Sequence, residues 1–180
     1  EGGNPTLQPE KVFNVEAMML YKWLNVSVGY KYLKDVMEWT KYIYPGKEFA
    51  YNTSLNFDHK QLLYASVYIS PKFGIFRPTW GFNYNQQFFD TKKYGASKAL
   101  SKPLLSCSLN NNFALSETMN AAIRLNASTT HADGFLMMKS NYSVNLQFDK
   151  SFANRTWIIY LSANDIFKTT KERWTMYGQG

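Results

Sequence analysis

Strict alternation of apolar and polar residues over ten-residue stretches constrains this chain more than any other feature. The clearest stretch runs from Thr118 to Ser128. Met119, Ala121, Ile123, Leu125 and Ala127 fall on one side, and Asn120, Ala122, Arg124, Asn126 and Ser128 on the other. A period of two is the signature of a β-strand, because successive side chains leave opposite faces of the pleat. The polar side is built from Asn, Ser and Gln rather than from the Lys, Glu and Thr of a solvated sheet. A greasy outside over an amide-rich inside fits a wall between lipid and a watery lumen.

The pattern recurs. Leu105, Cys107, Leu109 and Phe113 oppose Ser106, Ser108, Asn110 and Asn112. Tyr142, Val144, Leu146 and Phe148 oppose Asn141, Ser143, Asn145 and Gln147, and Trp157, Ile159, Leu161 and Ala163 oppose Ile158, Tyr160, Ser162 and Asn164. Phe76, Pro78, Trp80, Phe82 and Tyr84 oppose Arg77, Thr79, Gly81, Asn83 and Asn85, and Val26, Val28, Tyr30 and Tyr32 oppose Asn25, Ser27, Gly29 and Lys31. The chain therefore reads as all-β, an antiparallel meander of about ten to eleven strands forming part of a transmembrane outer-membrane β-barrel. Strands are expected near 11–21, 23–34, 36–44, 48–58, 61–71, 75–89, 102–113, 117–130, 136–149, 155–167 and 172–178. Tight connections are expected at Tyr21-Lys22-Trp23, Asp58-His59-Lys60, Ser70 to Gly74 and Leu115-Ser116-Glu117, and longer loops at Asp90 to Ser101 and Thr129 to Phe135. Short turns at one end and long loops at the other suit an outer-membrane barrel. Asp58-His59-Lys60 falls on the wrong side of that division.

Composition agrees with this reading. Aromatics make up 17% of the 180 residues, with 13 Tyr, as interfacial belts require. No apolar run reaches the 18 or so residues of a membrane-crossing helix. A mean hydropathy of -0.38 is compatible with barrel strands, which are apolar on only one side. The net charge of +7 is scattered and forms no nucleic-acid-binding motif. The single Cys107 lies on an apolar face as a small hydrophobe.

No catalytic constellation, metal-ligand set or cofactor motif stands out. The two histidines, His59 and His131, are far apart in sequence, and Asp133 and Asp165 are isolated. The chain reads as a non-enzyme. Four of five Asn-x-Ser/Thr sequons place Asn and Ser two apart on a strand, so inward polar alternation generates them without glycosylation. The lumen-facing candidates for ligand contact are Arg77, Arg124, Lys31 and Asn126. The cations bias a polar path toward anionic solutes or, the reading favoured here, pair across the wall with Glu16 or Asp58.

Two local motifs carry a family resemblance. Asn4-Pro5-Thr6-Leu7-Gln8-Pro9-Glu10 resembles the Asn-Pro-x-Leu-x-Pro-Glu element that precedes strands in TonB-dependent receptor barrels. Asn164-Asp165-Ile166-Phe167-Lys168-Thr169 resembles their Asn-Asp-Ile-Phe-Asn-Thr element, with Lys168 in place of the usual Asn. The resemblance implies a parent barrel of roughly twenty-two strands around an N-terminal plug. Residues 1–180 would be a single barrel segment from the carboxyl-terminal region, without the plug. Its expected partners are outer-membrane lipid, the plug and remaining strands of the parent, and a TonB-type energy-coupling protein reached through the plug. The implied role is uptake or binding of a siderophore, cobalamin or glycan in the bacterial outer membrane. An isolated segment, with two open edges, is expected to self-associate or close on itself. The alternative is a non-transport structural or ligand-binding β-module.

Overall fold

The computed structural model describes residues 4–43, 50–96, 98–152, 154 and 156–178. The described residues form eleven strands: β1 Lys11–Tyr21, β2 Leu24–Ile43, β3 Ala50–Ile69, β4 Phe76–Phe88, β5 Leu104–Ser116, β6 Met119–Ser128, β7 His131–Asp133, β8 Leu136–Met138, β9 Asn141–Phe152, β10 Trp157–Ala163 and β11 Trp174–Met176. Eight make one antiparallel sheet in the order β1-β2-β3-β4-β5-β6-β9-β10, and β11-β8-β7 make a second. The large sheet is open, with β1 and β10 at its edges.

Register turns the sequence alternation into two faces. One row runs Val26–Val67–Phe82–Cys107–Ala127–Tyr142 across six strands, and the next runs Asn25–Tyr68–Gly81–Ser108–Asn126–Ser143. Ile123 pairs with Leu146, Leu125 with Val144 and Leu161 with Phe148, so the expected apolar residues share one face. The polar face is the concave one. Ser27 is 8% and Ala122 5% exposed, whereas their neighbours Val28 and Ile123 are 48% and 40% exposed.

The apolar face carries aromatic belts at both ends. At the short-turn end Phe76 stacks on Phe113 at 5.1 Å and on Phe73 at 6.3 Å, beside Trp80. Asn111 shares this face with Trp80 and Leu109, and the Trp80 indole N–H donates to its Oδ1 at 3.0 Å. Tyr30, Tyr84 and Tyr142 lie toward the other end.

Two expected strand pairs are fused. The described parts of 23–34 and 36–44 form one strand, β2, and those of 48–58 and 61–71 form one strand, β3, each of 20 residues, while 44–49 lie outside the described residues. Asp58-His59-Lys60 is therefore strand, not turn. The reason lies at Asp35, whose φ of +55° is left-handed. Leu33 and Val36, three apart, are both buried in one cluster, so the alternation changes phase at this residue. Phe57 and Lys60 on β3 do the same, while pairing resumes in unchanged register at Val36↔Phe57. A phase change in both partners looks, in sequence, like a turn. With it resolved, the connections at the β1–β2, β3–β4, β5–β6 and β9–β10 end are all short, and the described long connections lie at the other end.

The stretch 136–149 divides at Lys139 and Ser140 into β8 and β9, because β8 leaves the large sheet to pair with β7 and β11. The chain near 172–178 joins that small sheet as β11. Its Trp174 meets Trp39 of β2 edge-on at 6.1 Å, so the segment crosses from the β9–β10 side to β2.

Candidate functional site

The polar concave face and the loops folded over its long-loop end form the candidate site. The wall is built by register. Ser27 and Ser66 hydroxyls meet at 2.8 Å, Ser108 donates to Asn126 Oδ1 at 3.0 Å, and Asn120 Nδ2 donates to Asp149 Oδ2 at 2.8 Å. Such cross-strand polar pairs are the sheet's counterpart of helical neighbour pairs.

Two tyrosines shape this wall. Tyr64 lies directly across from Gly29, and Tyr68 across from Gly81. Each ring lies over its glycine. A Cβ on Gly29 would overlap the Tyr64 ring, and one on Gly81 would come within 2.7 Å of Tyr68. The Tyr64 hydroxyl donates to Asn14 Oδ1 at 2.9 Å and stands 3.3 Å from Glu16 Oε2. An aromatic laid over an opposing glycine restores the packing that glycine gives up. Neither tyrosine stands out in sequence, since the signal exists only once register is known.

The lumen-facing candidates are dispersed. Lys31 lines a hollow of about 650 Å³ with Asn14, Glu16, Tyr64 and Asn85. Asn126 lines a second of about 290 Å³ with Ser108, Asn141 and Ser143. Arg77 lines a third of about 230 Å³ with Asn112, Gln147 and Asp149. Arg124 lies on the same face between Asn110 and Asn145. The carboxylates considered as their partners are engaged elsewhere. Glu16 stands beside Tyr64, and Asp58 sits 3.2 Å from His59 Nδ1 and 3.6 Å from Lys93 Nζ. The wall therefore presents hydroxyls, amides and tyrosine rings with single, separated cations. That chemistry suits uncharged polar solutes as well as isolated anionic groups.

The cap closes over the upper wall through an aromatic cluster. The Phe57 ring meets Tyr94 and Phe135 at 4.9 Å each and Phe89 at 5.7 Å. Gln87, 3% exposed, fastens two loops. Its Nε2 donates to Leu100 O at 2.7 Å and Gly134 O at 3.2 Å, and its Oε1 accepts from Gly134 N–H at 2.9 Å. Gly134 has φ +51°, and a Cβ there would overlap the Glu38 carboxylate. Lys60, 6% exposed, binds Glu38 Oε1 at 2.6 Å, with Asp133 Oδ1 at 3.9 Å. Asp133 is thus part of this group. A span takes roughly 9–11 strand residues, so Glu38 stands beyond the stretch of β2 that pairs with β1. Burial pushes its carboxyl above the usual value, against the pull of Lys60. The sequence does not mark this group, because the change of phase between Phe57 and Lys60 makes Asp58-His59-Lys60 read as a turn.

Both motifs are clasps at the loop end. Asn4 Nδ2 donates to Ser54 O at 3.1 Å while its Oδ1 accepts from Thr6 N–H at 3.0 Å. Gln8 exchanges both backbone groups with the Asn56 amide at 2.7 and 2.9 Å, and Glu10 Oε2 accepts from Met37 N–H at 3.2 Å. In the second motif Asp165, φ +46°, gathers Thr169 N–H at 3.0 Å and Thr170 N–H at 2.9 Å. Ile166 N–H donates to Val144 O at 3.0 Å and Thr169 Oγ1 to Tyr142 O at 2.7 Å, so this turn covers the part of β9 that β10 does not reach.

Among the described residues no group of three His, Cys, Asp or Glu is placed to hold a metal ion, and no helix is long and apolar enough to cross a membrane. Comparison with curated proteins and with solved structures gave no match. The family model described as "Outer membrane protein beta-barrel family" matches residues 1–180. A greasy convex face with aromatic belts, a polar concave face, short turns opposite long loops and this full-length match give one conclusion: the chain belongs to the outer membrane protein beta-barrel family, and its place is the bacterial outer membrane.

Proposed function

We propose that residues 1–180 form a wall segment of a TonB-dependent-receptor-like protein that takes up or binds a nutrient of the siderophore, cobalamin or glycan class. The observation that carries this reading is the concave face of amides, hydroxyls and tyrosines under a folded cap. Such a surface serves a lumen through which a polar solute moves. The two receptor-like motifs support it, since each clasps a strand end at the loop side.

The proposed role is non-enzymatic, and the proposed partners follow from the edges. Both faces of β1 and β10 are apolar near the short-turn end, with Met18 62%, Leu20 72%, Ile158 67% and Tyr160 56% exposed on the polar side of the sheet. Unpaired, two-sided apolar edges call for neighbours. We assign these to further strands and a plug of the parent barrel, with a TonB-type energy coupler acting through the plug, and expect the segment alone to self-associate. A non-transport ligand-binding barrel is the second reading, favoured by the sheet of eight strands, the number that closes a small barrel.

The test is growth of the native host on each nutrient class, with the gene deleted and, separately, with the energy coupler deleted. Loss of one nutrient in both strains supports uptake. Normal growth on all classes in both strains rejects it.

A further inference from the structure

Two aromatic rings on the polar face have one side covered and one side free. The Tyr64 ring lies on Gly29 and the Tyr68 ring on Gly81, so close that neither glycine has room for a Cβ. Each ring therefore turns its other side toward the hollow of about 650 Å³ that both line. A ring held flat against its own wall is a preorganised platform, because stacking on it asks for no rearrangement. Residues four apart on a strand leave the same face, and at about 3.3 Å per residue the two platforms stand roughly 13 Å apart.

The walls around the rings carry mixed hydrogen-bonding groups. Ser27, Ser66, Asn83 and Asn85 line the hollow, and hydroxyls and amides each offer both donors and acceptors. The two charged residues of the lining, Glu16 and Lys31, cancel. They do not pair with each other. Among the described residues no carboxylate lies within 4.0 Å of Lys31 Nζ. The Tyr64 hydroxyl stands 2.9 Å from Asn14 Oδ1 and 3.3 Å from Glu16 Oε2, and its single proton serves only one of them at a time. The hollow thus keeps spare acceptors and a spare ammonium. Its volume falls within the usual range of small-molecule sites, about 300–1,000 Å³.

Flat aromatic platforms among donors and acceptors of balanced charge fit a ligand that is apolar on its ring faces and hydroxylated at its edges. We propose that the hollow binds a neutral oligosaccharide, with sugar rings stacked on Tyr64 and Tyr68 and their hydroxyls on the amides, Glu16 and Lys31. A hydroxyl both donates and accepts, so one ligand satisfies carboxylate, ammonium and amide alike. The C–H groups of a sugar face meet the electron-rich face of the tyrosine ring. The distance between the platforms exceeds one sugar ring, so the ligand is a chain. An anionic iron chelate would find no net positive charge here. The inference rests on the uptake reading and deepens it, selecting the glycan among its three classes.

The test titrates the full-length protein in detergent with neutral hexasaccharides of glucose, mannose, xylose and galactose, followed by calorimetry. At least one should bind, and its disaccharide should bind on the order of tenfold more weakly, because it reaches one ring only. Tyr64→Leu and Tyr68→Leu should each weaken the hexasaccharide by a similar factor, whereas Tyr64→Phe, which keeps the platform, should retain most of the affinity. Heat-modifiable migration on gels checks that each variant is assembled, and the comparison of chain lengths on the wild type needs no variant. Failure of every neutral hexasaccharide to bind would overturn the proposal. So would equal binding of disaccharide and hexasaccharide, binding unchanged by both Leu substitutions, or tighter binding of hexagalacturonate, an acidic sugar chain. No energy coupler takes part in this measurement. A negative titration beside coupler-dependent growth on a siderophore or cobalamin therefore strikes the glycan assignment alone and leaves uptake standing.

Discussion

Ile123→Arg probes the assignment of faces with a magnitude the structure supplies. Ile123 is the fifth of ten residues in β6 and pairs with Asn111 and Leu146 on either side. At about 3.4 Å per residue and a tilt near 45°, it lies roughly 10 Å above the short-turn end of β6, close to the middle of a band about 25 Å tall. An arginine at that depth costs about 2–4 kcal/mol when it faces lipid. Asn126 is three residues on, but its side chain enters the polar face, where Ser108 donates to it at 3.0 Å. Asn126→Lys loses that neutral hydrogen bond, worth about 1 kcal/mol, and gains a solvated cation. The assay is urea unfolding of the full-length protein from lipid vesicles, with assembly read by heat-modifiable gel migration. Ile123→Arg should lower stability by at least 1 kcal/mol more than Asn126→Lys. Equal costs, or a larger cost at Asn126, would refute the assignment of faces and with it the placement of the sheet in the membrane wall.

Three further outcomes follow from the wall and cap. Gly29→Ala should destabilise by about 1–3 kcal/mol because its methyl overlaps the Tyr64 ring. In the Tyr64→Ala background the same change should cost little, and a double-mutant cycle of unfolding free energies measures the difference. Glu38→Leu should loosen the cap by about 3 kcal/mol, the low end for a broken buried pair because Asp133 stands 3.9 Å from Lys60, and Glu38→Leu with Lys60→Met should recover most of it in hydrogen exchange of the cap. Asp165→Ala should loosen the turn after β10, because the Thr169 and Thr170 N–H groups lose their acceptor, and a spin label at position 168 should become more mobile than in the wild type.

The sheet was legible because lipid on one side and a polar lumen on the other act on every second residue. Ile123, Leu125, Val144 and Leu146 fall on their face for that reason alone, and register adds only which residue meets which. Reading failed where the constraint changed. At Asp35 a single left-handed residue shifts the phase of β2, and the matching shift in β3 made Asp58-His59-Lys60 resemble a turn. The cap was illegible for a different reason. Phe89, Tyr94 and Phe135 lie in loops with no period, and their meeting at Phe57 is set by long-range packing. Gln87 sits on the polar side of β4 like the amides below it, and nothing local marks it as the fastener of Leu100 and Gly134. The candidate cations were legible as inward-facing. Their separation into different hollows was not, because it depends on which strands neighbour each other.

The central claim is that this sheet is a membrane wall with lipid on one face and water on the other. A cysteine scan along β6, from Met119 to Ser128, tests it most directly. The one native cysteine, Cys107, is first replaced by Ser, and the full-length protein is kept in its native outer membrane. Spin labels at 119, 121, 123, 125 and 127 should be accessible to oxygen and shielded from a water-soluble nickel relaxant, and labels at 120, 122, 124, 126 and 128 should show the reverse, giving a period of two across the strand. Uniform accessibility to the water-soluble agent, or a period near 3.6, would contradict the account.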